Sequence, residues 1–446
     1  MSLRHLRVTS RGIEIPAGRR VAGPVRVPPS KSLTHRVFNL ALLARRPLTV
    51  EHPLDAEDTR LFRQALERLG WRVEPVGEQA GGGAADGLRL VPGELPAAAA
   101  IDCGNAGTMF RFLVASLAVL PGRWILDGTP RLRERPVAAL VAALRALGGR
   151  IEYVEREGCA PLAITGGRLA GGRVELDAGT SSQFLSALLM AALRAEDVVT
   201  VEVAALTSEP YVDLTLDAVA AFGGRIERRA RGFRIEPGIP APPAAFAVEG
   251  DWSAACYPAA AAALTGGRVT LLGLARESRQ GDRGFLEILT ALGAEVAWST
   301  GPGGDELTVR GTGRLRGADV SLASMPDQVP TLAALAPFAH GTTRIREVPH
   351  LRVKESDRLA AMAEGLGRLG AEVEERPDGL VIPGVWSTGA PPPPPAPIAV
   401  DPHDDHRIAM SLALTGLVRP GVLVTRPETV GKSYAAFWQH LDSVLG

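Results

Sequence analysis

Cysteine is scarce: only Cys103, Cys159 and Cys256 occur among the 446 residues. An odd number without C-x-x-C spacing excludes a disulfide framework and points to free thiols in a reducing compartment, for which the cytoplasm is the simplest home. Long apolar runs are lacking as well. Phe112–Leu120 (FLVASLAVL), among the longest, falls far short of a membrane span, and the opening MSLRHLRVTS has no apolar signal core, so neither insertion nor export is expected. An excess of one charge is also missing, since 49 Lys plus Arg balance 49 Asp plus Glu. No net field draws the chain onto nucleic acid or an anionic membrane, and any anion it binds must be met by local groups. His403 and His406 lie beside Asp404 and Asp405, but Arg407 opposes a cation there and no second metal cluster accompanies them. GNAGT (104–108) has neither P-loop nor dinucleotide-binding spacing.

What is present is a chain too long for one ordinary core, with 46% hydrophobic residues to build two. A phrase of helix, Leu-Gly or Phe-Gly, then a short strand recurs as LERLGWRVE, LRALGGRIE, VAAFGGRIE, LTALGAEVA and LGRLGAEVE. Its glycines, 70, 148, 223, 293 and 370, are spaced 78, 75, 70 and 77 residues apart, and one further step of 76 reaches Gly446. Glycine just past a helix end takes the left-handed conformation that turns the chain back into a strand. The spacing therefore predicts six repeats, each of strand, helix, strand, helix and hairpin, an α/β organisation. The sixth lacks its final strand, and the N-terminal segment Leu3–Thr9 is the expected donor. Three repeats per domain follow: an outer domain of residues 1–29 plus 250–446 and an inserted domain of residues 30–249. Crossings are expected near Pro28–Pro29 and Val248–Asp251, the second through the loop PGIPAPPAAFAVEGD. GEQAGGGAADG (77–87) and the Pro-rich TGAPPPPPAP, with prolines 391–395, read as hairpin extensions.

Each repeat carries a helix apolar on most sides, expected to be buried: Val37–Ala44, Phe110–Leu120, Phe184–Leu193, Ala254–Leu264, Leu332–Ala339 and Ile408–Leu417. Polar phrases precede them: PPSKSLTHR, CGNAGTMFR, AGTSSQFLS, EGDWSAACY, SMPDQVPTL and PHDDHRIAM. Serine, threonine and aspartate at helix starts are ordinary caps. Cations there are not, because the helix macrodipole disfavours them, and Lys31, Arg111, Arg133, Arg135, Lys354, Arg358, Arg407 and Lys432 all fall at predicted starts. A ligand of large negative charge would make that arrangement favourable. Taken alone, Cys103 reads as a small packing residue and His406 as a helix-start histidine tied to neighbouring carboxylates.

In order along the whole chain, PSKSLTHR, GNAGT with Arg111, PRLRERP, SSQFLSALLM, SEPYVD, MPDQVPTLA, LRVKESDRL, DDHRIAM and Lys432 resemble the motifs of the 5-enolpyruvylshikimate-3-phosphate synthase family of enolpyruvyl transferases. The resemblance implies an α/β fold of two similar domains, each of three βαβαββ units in an inside-out α/β barrel, with the active site in the interdomain cleft. It implies transfer of the enolpyruvyl group of phosphoenolpyruvate to shikimate 3-phosphate by a monomer without cofactor or metal. Carried over by motif, Lys31, Ser32, Arg36, Ser181, Ser182, Gln183, Ser208, Tyr211, Asp327 and Lys354 would hold shikimate 3-phosphate. Lys31, Gly107, Arg135, Gln183, Arg358, Arg407 and Lys432 would hold phosphoenolpyruvate.

The same resemblance makes Asp327 the candidate base and Glu355 the candidate acid, with Lys31, Lys354, His406 and Lys432 as further proton-transfer groups. Three positions depart from the family pattern. Glu209 in SEPY stands where a basic residue is expected, VGKSYAAFW replaces a more usual run around Lys432, and His350 occupies a place that in some relatives holds a ligand-contacting asparagine. Rival readings are the related transferase acting on UDP-N-acetylglucosamine, which uses a loop cysteine, a phosphate-binding protein without catalysis, and a relative of RNA 3′-phosphate cyclases.

Overall fold

A computed structural model describes residues 3–77, 86–239, 241–301, 303–389 and 391–446. Two compact units divide the chain: unit 1 is Met1–Pro28 with Gly250–Gly446, and unit 2 is Pro29–Glu249. Each unit encloses its own apolar cluster.

The repeat glycines end helices as expected. Gly70, Gly148, Gly223, Gly293 and Gly370 have φ of 80°, 94°, 73°, 110° and 90°, so each turns its chain through the left-handed region. The apolar helices are Lys31–Ala44, Gly107–Ala118 and Ser182–Ala192 in unit 2, and Trp252–Thr265, Val329–Leu335 and His406–Gly416 in unit 1. Nearly every residue in them is buried. Each fully buried Leu, Val or Phe contributes about 1.5–3 kcal/mol, which is why these helices need no amphipathic face. Their starts are thereby fixed in space, a condition for aiming polar groups.

Six four-stranded sheets share one plan. A parallel pair is extended by an antiparallel hairpin, as in Ala98–Asp102, Gly122–Asp127, Leu162–Gly166 and Arg150–Tyr153. The sixth sheet differs from the expected completion by one strand. It takes a whole N-terminal hairpin: Gly12–Ile15 pairs with Val422–Val424, and Arg7–Thr9 forms the outer strand. A Cβ on Gly12 would lie 2.1 Å from the carbonyl oxygen of Val424, so the close approach of these strands depends on that glycine. The motif ending at Thr9 hid a second strand because the turn SRG interrupts its pattern.

The two crossings exchange strands. Ala22–Arg26 stays in unit 1 and pairs in parallel with Arg268–Leu272, whereas Ala245–Ala247, inside the PGIPAPPAAFAVEGD loop, stays in unit 2 and pairs with Leu48–Glu51. Each strand therefore serves a repeat whose helices lie elsewhere in the sequence. Within unit 1, Asp251 N donates to Pro28 O at 2.8 Å; within unit 2, Ser30 N donates to Glu249 O at 2.8 Å. These bonds pin the chain on either side of each crossing. The Pro-rich run joins Gly379–Pro383 to Ile398–Val400, which corrects the hairpin expectation: it connects two repeats, so proline there interrupts no ladder. Of the glycine-rich extension, residues 78–85 lie outside the described residues.

Candidate active site

In unit 2, polar residues gather at the starts of the apolar helices. Lys31 is the first residue of its helix, capped by Ser30, and its Nζ lies 3.1 Å from Oδ2 of the buried Asp58 on helix Glu57–Arg68. Ser32 is half-buried one residue on. Arg36 is buried one turn later, where its Nη1 donates to Ser32 O (2.8 Å), Nη2 to Tyr211 O (2.6 Å) and Nε to Thr215 Oγ1 (2.9 Å). Burial lowers its pKa to about 10, which leaves it protonated at neutral pH. Arg36 thus ties the first apolar helix to Pro210–Ala221.

Ser181 caps helix Ser182–Ala192 by accepting from Gln183 N. The Gln183 amide is clamped: its Nε2 donates to Thr108 Oγ1 (2.9 Å) and its Oε1 accepts from Arg111 Nη1 (2.6 Å). Arg111 is itself held by Pro136 O and lies over the Phe184 ring, 5.2 Å from its centroid. Arg135 Nη1 donates to the backbone and side-chain oxygens of Asn105 at 3.2 and 3.4 Å. A Cβ on Gly107 would sit 2.5 Å from the Arg135 guanidinium carbon, so this glycine makes room for the cation. Ser208 has φ of 53°, a left-handed value uncommon outside glycine, and directly precedes the helix that carries Tyr211.

The unit 1 groups form an ion-pair cluster. Arg358, only 2% exposed, donates to three carboxylates: Asp327 Oδ1 (2.8 Å), Glu355 Oε2 (2.8 Å) and Asp405 Oδ2 (2.7 Å). Arg407 Nη2 donates to Asp327 Oδ2 at 2.6 Å. Burial alone would raise the pKa of Asp327, but Arg407, Arg358 and Lys354 outweigh it and hold the carboxyl well below the usual carboxylate range. Asp405 caps helix His406–Gly416 through Arg407 N, and His406 is fully buried with Nδ1 3.7 Å from Asp405. Lys354 follows the turn Pro349–Val353, and buried Lys432 ends the turn Pro427–Lys432. His350 is buried in the same turn as Lys354's neighbours, and burial, then Lys354, push its pKa down to about 3, which makes it a neutral imidazole.

A three-carboxylate, two-guanidinium cluster beside a lysine can move a proton and bind an anion, which is the pattern of a group-transfer site. The family model for EPSP synthase (3-phosphoshikimate 1-carboxyvinyltransferase) matches residues 15–441. The chain belongs to the EPSP synthase family. It is 43% identical over 419 residues to a 3-phosphoshikimate 1-carboxyvinyltransferase of Methanoculleus marisnigri, covering 93% of this chain and 94% of the relative. Another so named, from Syntrophobacter fumaroxidans, is 44% identical over 433 residues, covering 94% and 96%. An EPSP synthase structure from Acinetobacter baumannii superposes with a TM-score of 0.76 at 28% identity, covering 97% of both chains. The fold is accordingly the two-domain α/β enolpyruvyl transferase fold.

The local structure also revises parts of the sequence reading. Arg133 and Lys432 sit in 3₁₀ turns, and Arg135 and Lys354 directly follow such turns, ahead of the helices Ala138–Ala146, Phe437–Val444 and Arg358–Arg368, so none is at the helix start itself. Prolines 136 and 427 and the short turns shift the α-helical starts downstream. Arg133 is spent on Asp127 and Glu155, as a solvated surface charge would be. Glu209 is half exposed and pairs with Arg228 at 2.5 Å. Cys103, Cys159 and Cys256 are free and buried, and burial pushes the Cys103 thiol up, which suits packing and not nucleophilic attack.

Sequence reasoning did not single out Asp58 or Thr108, which hold Lys31 and Gln183, and it weighed Asp405 only beside the histidines, not as the holder of Arg358. One signal was available. The 49 basic residues include only three lysines, Lys31, Lys354 and Lys432; Lys31 pairs with Asp58, Lys354 acts on Asp327, and Lys432 is buried at the end of its turn. Where arginine is used almost everywhere, a retained lysine marks a place that needs a compact ammonium able to give up a proton.

Proposed function

We propose that the protein transfers the enolpyruvyl group of phosphoenolpyruvate to the 5-hydroxyl of shikimate 3-phosphate and releases phosphate, a step of the shikimate pathway toward chorismate and the aromatic amino acids. The observation that carries the residue assignment is the single guanidinium of Arg358, which binds both Asp327 and Glu355 and so sets two carboxylates around one anion-binding cation. Unit 2 supplies the holding groups. Lys31, Ser32, Ser181, Ser182, Gln183, Ser208 and Tyr211 bind shikimate 3-phosphate, with Arg36 fixing the last of these through its backbone. Phosphoenolpyruvate is assigned Gly107, Arg135 and Gln183, with Lys31, in unit 2, and Arg358, Arg407 and Lys432 in unit 1. Lys354 of unit 1 binds a hydroxyl of the shikimate ring.

The chemistry follows from charge. Paired as the structure shows it, Asp327 is a poor base, because two guanidiniums share its oxygens. The phosphate and carboxylate of phosphoenolpyruvate compete for those same donors, and as Arg358 and Arg407 turn to the ligand, Asp327 regains basicity. Asp327 then takes the proton of the 5-hydroxyl as its oxygen bonds to C2, while Glu355, protonated from solvent once Arg358 has turned to the ligand, gives that proton to C3. The tetrahedral intermediate loses a proton from C3 as the C2–O bond to phosphate breaks. By the family resemblance, His406, Lys31, Lys354 and Lys432 are assigned as further groups that share the transfers. The resemblance carries over a monomer, and three free thiols suit the cytoplasm.

Incubating the purified protein with shikimate 3-phosphate and phosphoenolpyruvate and following phosphate release tests the reading. Release that requires both substrates is expected. Absence of release, with release on UDP-N-acetylglucosamine instead, overturns it.

A further inference from the structure

Glu209 and Asp213 place two carboxylates at the start of helix Pro210–Ala221, beside the strained Ser208. Acids in a first helical turn satisfy the macrodipole, but an anion bound at the Ser208 turn, as the proposed function has it, would be repelled by them. Arg228 answers both. From the edge strand Arg225–Arg229 its Nη1 donates to Glu209 Oε1 at 2.5 Å, its Nη2 donates to Asp213, and its guanidinium lies over the Phe233 ring, 5.1 Å from the centroid. The turn it grips is already stiff: Glu209 O accepts from Val212 N (2.7 Å), and Tyr211 N donates to Ser208 O (3.1 Å). Arg36 holds Tyr211 from the buried side.

We propose that Arg228 is a positioning and specificity residue for the 3-phosphate of shikimate 3-phosphate, which neutralises Glu209 and Asp213 and so lets an anion settle at the Ser208 turn. This rests on the assignment of Ser208 and Tyr211 to that substrate. It explains how the chain tolerates an acid where its family carries a base: the positive charge has moved from the turn to the neighbouring strand. As a stabilising surface ion pair the cluster is worth little, so its effect belongs in substrate affinity and not in folding.

The test is steady-state kinetics of phosphate release for the full chain, wild type against Arg228→Gln, alone and combined with Glu209→Gln and Asp213→Asn. Arg228→Gln is expected to raise the KM for shikimate 3-phosphate about threefold to tenfold at low salt, the size of a partly screened charge effect. The KM for phosphoenolpyruvate and kcat stay within about twofold, since Arg228 touches neither reacting atom. Added salt shrinks the rise, and the triple variant removes it, a rescue that a purely structural role would not give. An unchanged KM in Arg228→Gln, or a rise that persists in the triple variant, overturns the inference while wild-type activity keeps the functional reading intact. An inactive wild type overturns both.

Discussion

The two units build their polar clusters on the same feature, the fixed start of a buried helix, yet use charge in opposite ways. In unit 1, arginines meet carboxylates: Arg358 binds Asp327, Glu355 and Asp405, and Arg407 binds Asp327. In unit 2, three arginines near the starts of the apolar helices donate to neutral oxygens, Arg36 to Ser32 and Tyr211 carbonyls, Arg135 to Asn105, and Arg111 to Gln183 and Pro136, while Lys31 meets the carboxylate of Asp58. A carboxylate cancels a guanidinium and can carry a proton, whereas a carbonyl does neither. On the proposed assignment, this difference puts the candidate acid and base in unit 1 and much of the substrate holding in unit 2.

The largest expected break of that contrast is in kcat. Asp327→Asn and Glu355→Gln should each lower kcat about 10²–10⁴-fold, the usual worth of a general base or acid, with KM for shikimate 3-phosphate changed little; steady-state phosphate release reads both. Next comes the cation pocket of unit 2. Gly107→Ala pushes a methyl to 2.5 Å from the Arg135 guanidinium carbon, and because that end of the side chain can swing away, the protein should fold and keep its kcat. Its KM for phosphoenolpyruvate should rise about tenfold, equivalent to about 1.4 kcal/mol of lost binding. Ser182→Ala should raise KM for shikimate 3-phosphate by a smaller factor, about fivefold, as one hydrogen bond is lost.

The smallest effect is on stability. The folded pKa of Asp327 lies below its unfolded value, so the unfolded chain binds more protons in acid. Its ion pairs therefore stabilise the fold above about pH 4 and are lost as pH falls from there toward the folded pKa. Asp327→Asn should lower stability by about 1–2 kcal/mol near neutral pH, with the two proteins converging in acid; urea unfolding followed from neutral to acid pH measures this.

Much of this was legible in the amino-acid order. The Leu-Gly phrases marked helix ends because a left-handed turn strongly favours glycine, and Gly70 to Gly370 all adopt it. The apolar helices were visible because burial on every side removes the polar face. Strand exchange at the crossings was not legible, since Ala245–Ala247 read as part of a loop, Ala22–Arg26 carried no element of its own, and only pairing distant in sequence assigns them as strands. Among site groups, residues in motifs stood out, but their holders did not. Asp58 resembles any first-turn acid, and Asp405 looked like a cap, which it is, while also gripping Arg358. Glu209 looked unfavourable because its partner Arg228 lies 19 residues away on another element.

Binding of shikimate 3-phosphate by isothermal titration calorimetry, compared between Asp327→Asn and Ser182→Ala, tests the division of labour most directly. The account predicts that Asp327→Asn binds within about twofold of wild type while Ser182→Ala binds about fivefold more weakly. Weakened binding in Asp327→Asn together with wild-type binding in Ser182→Ala would contradict it.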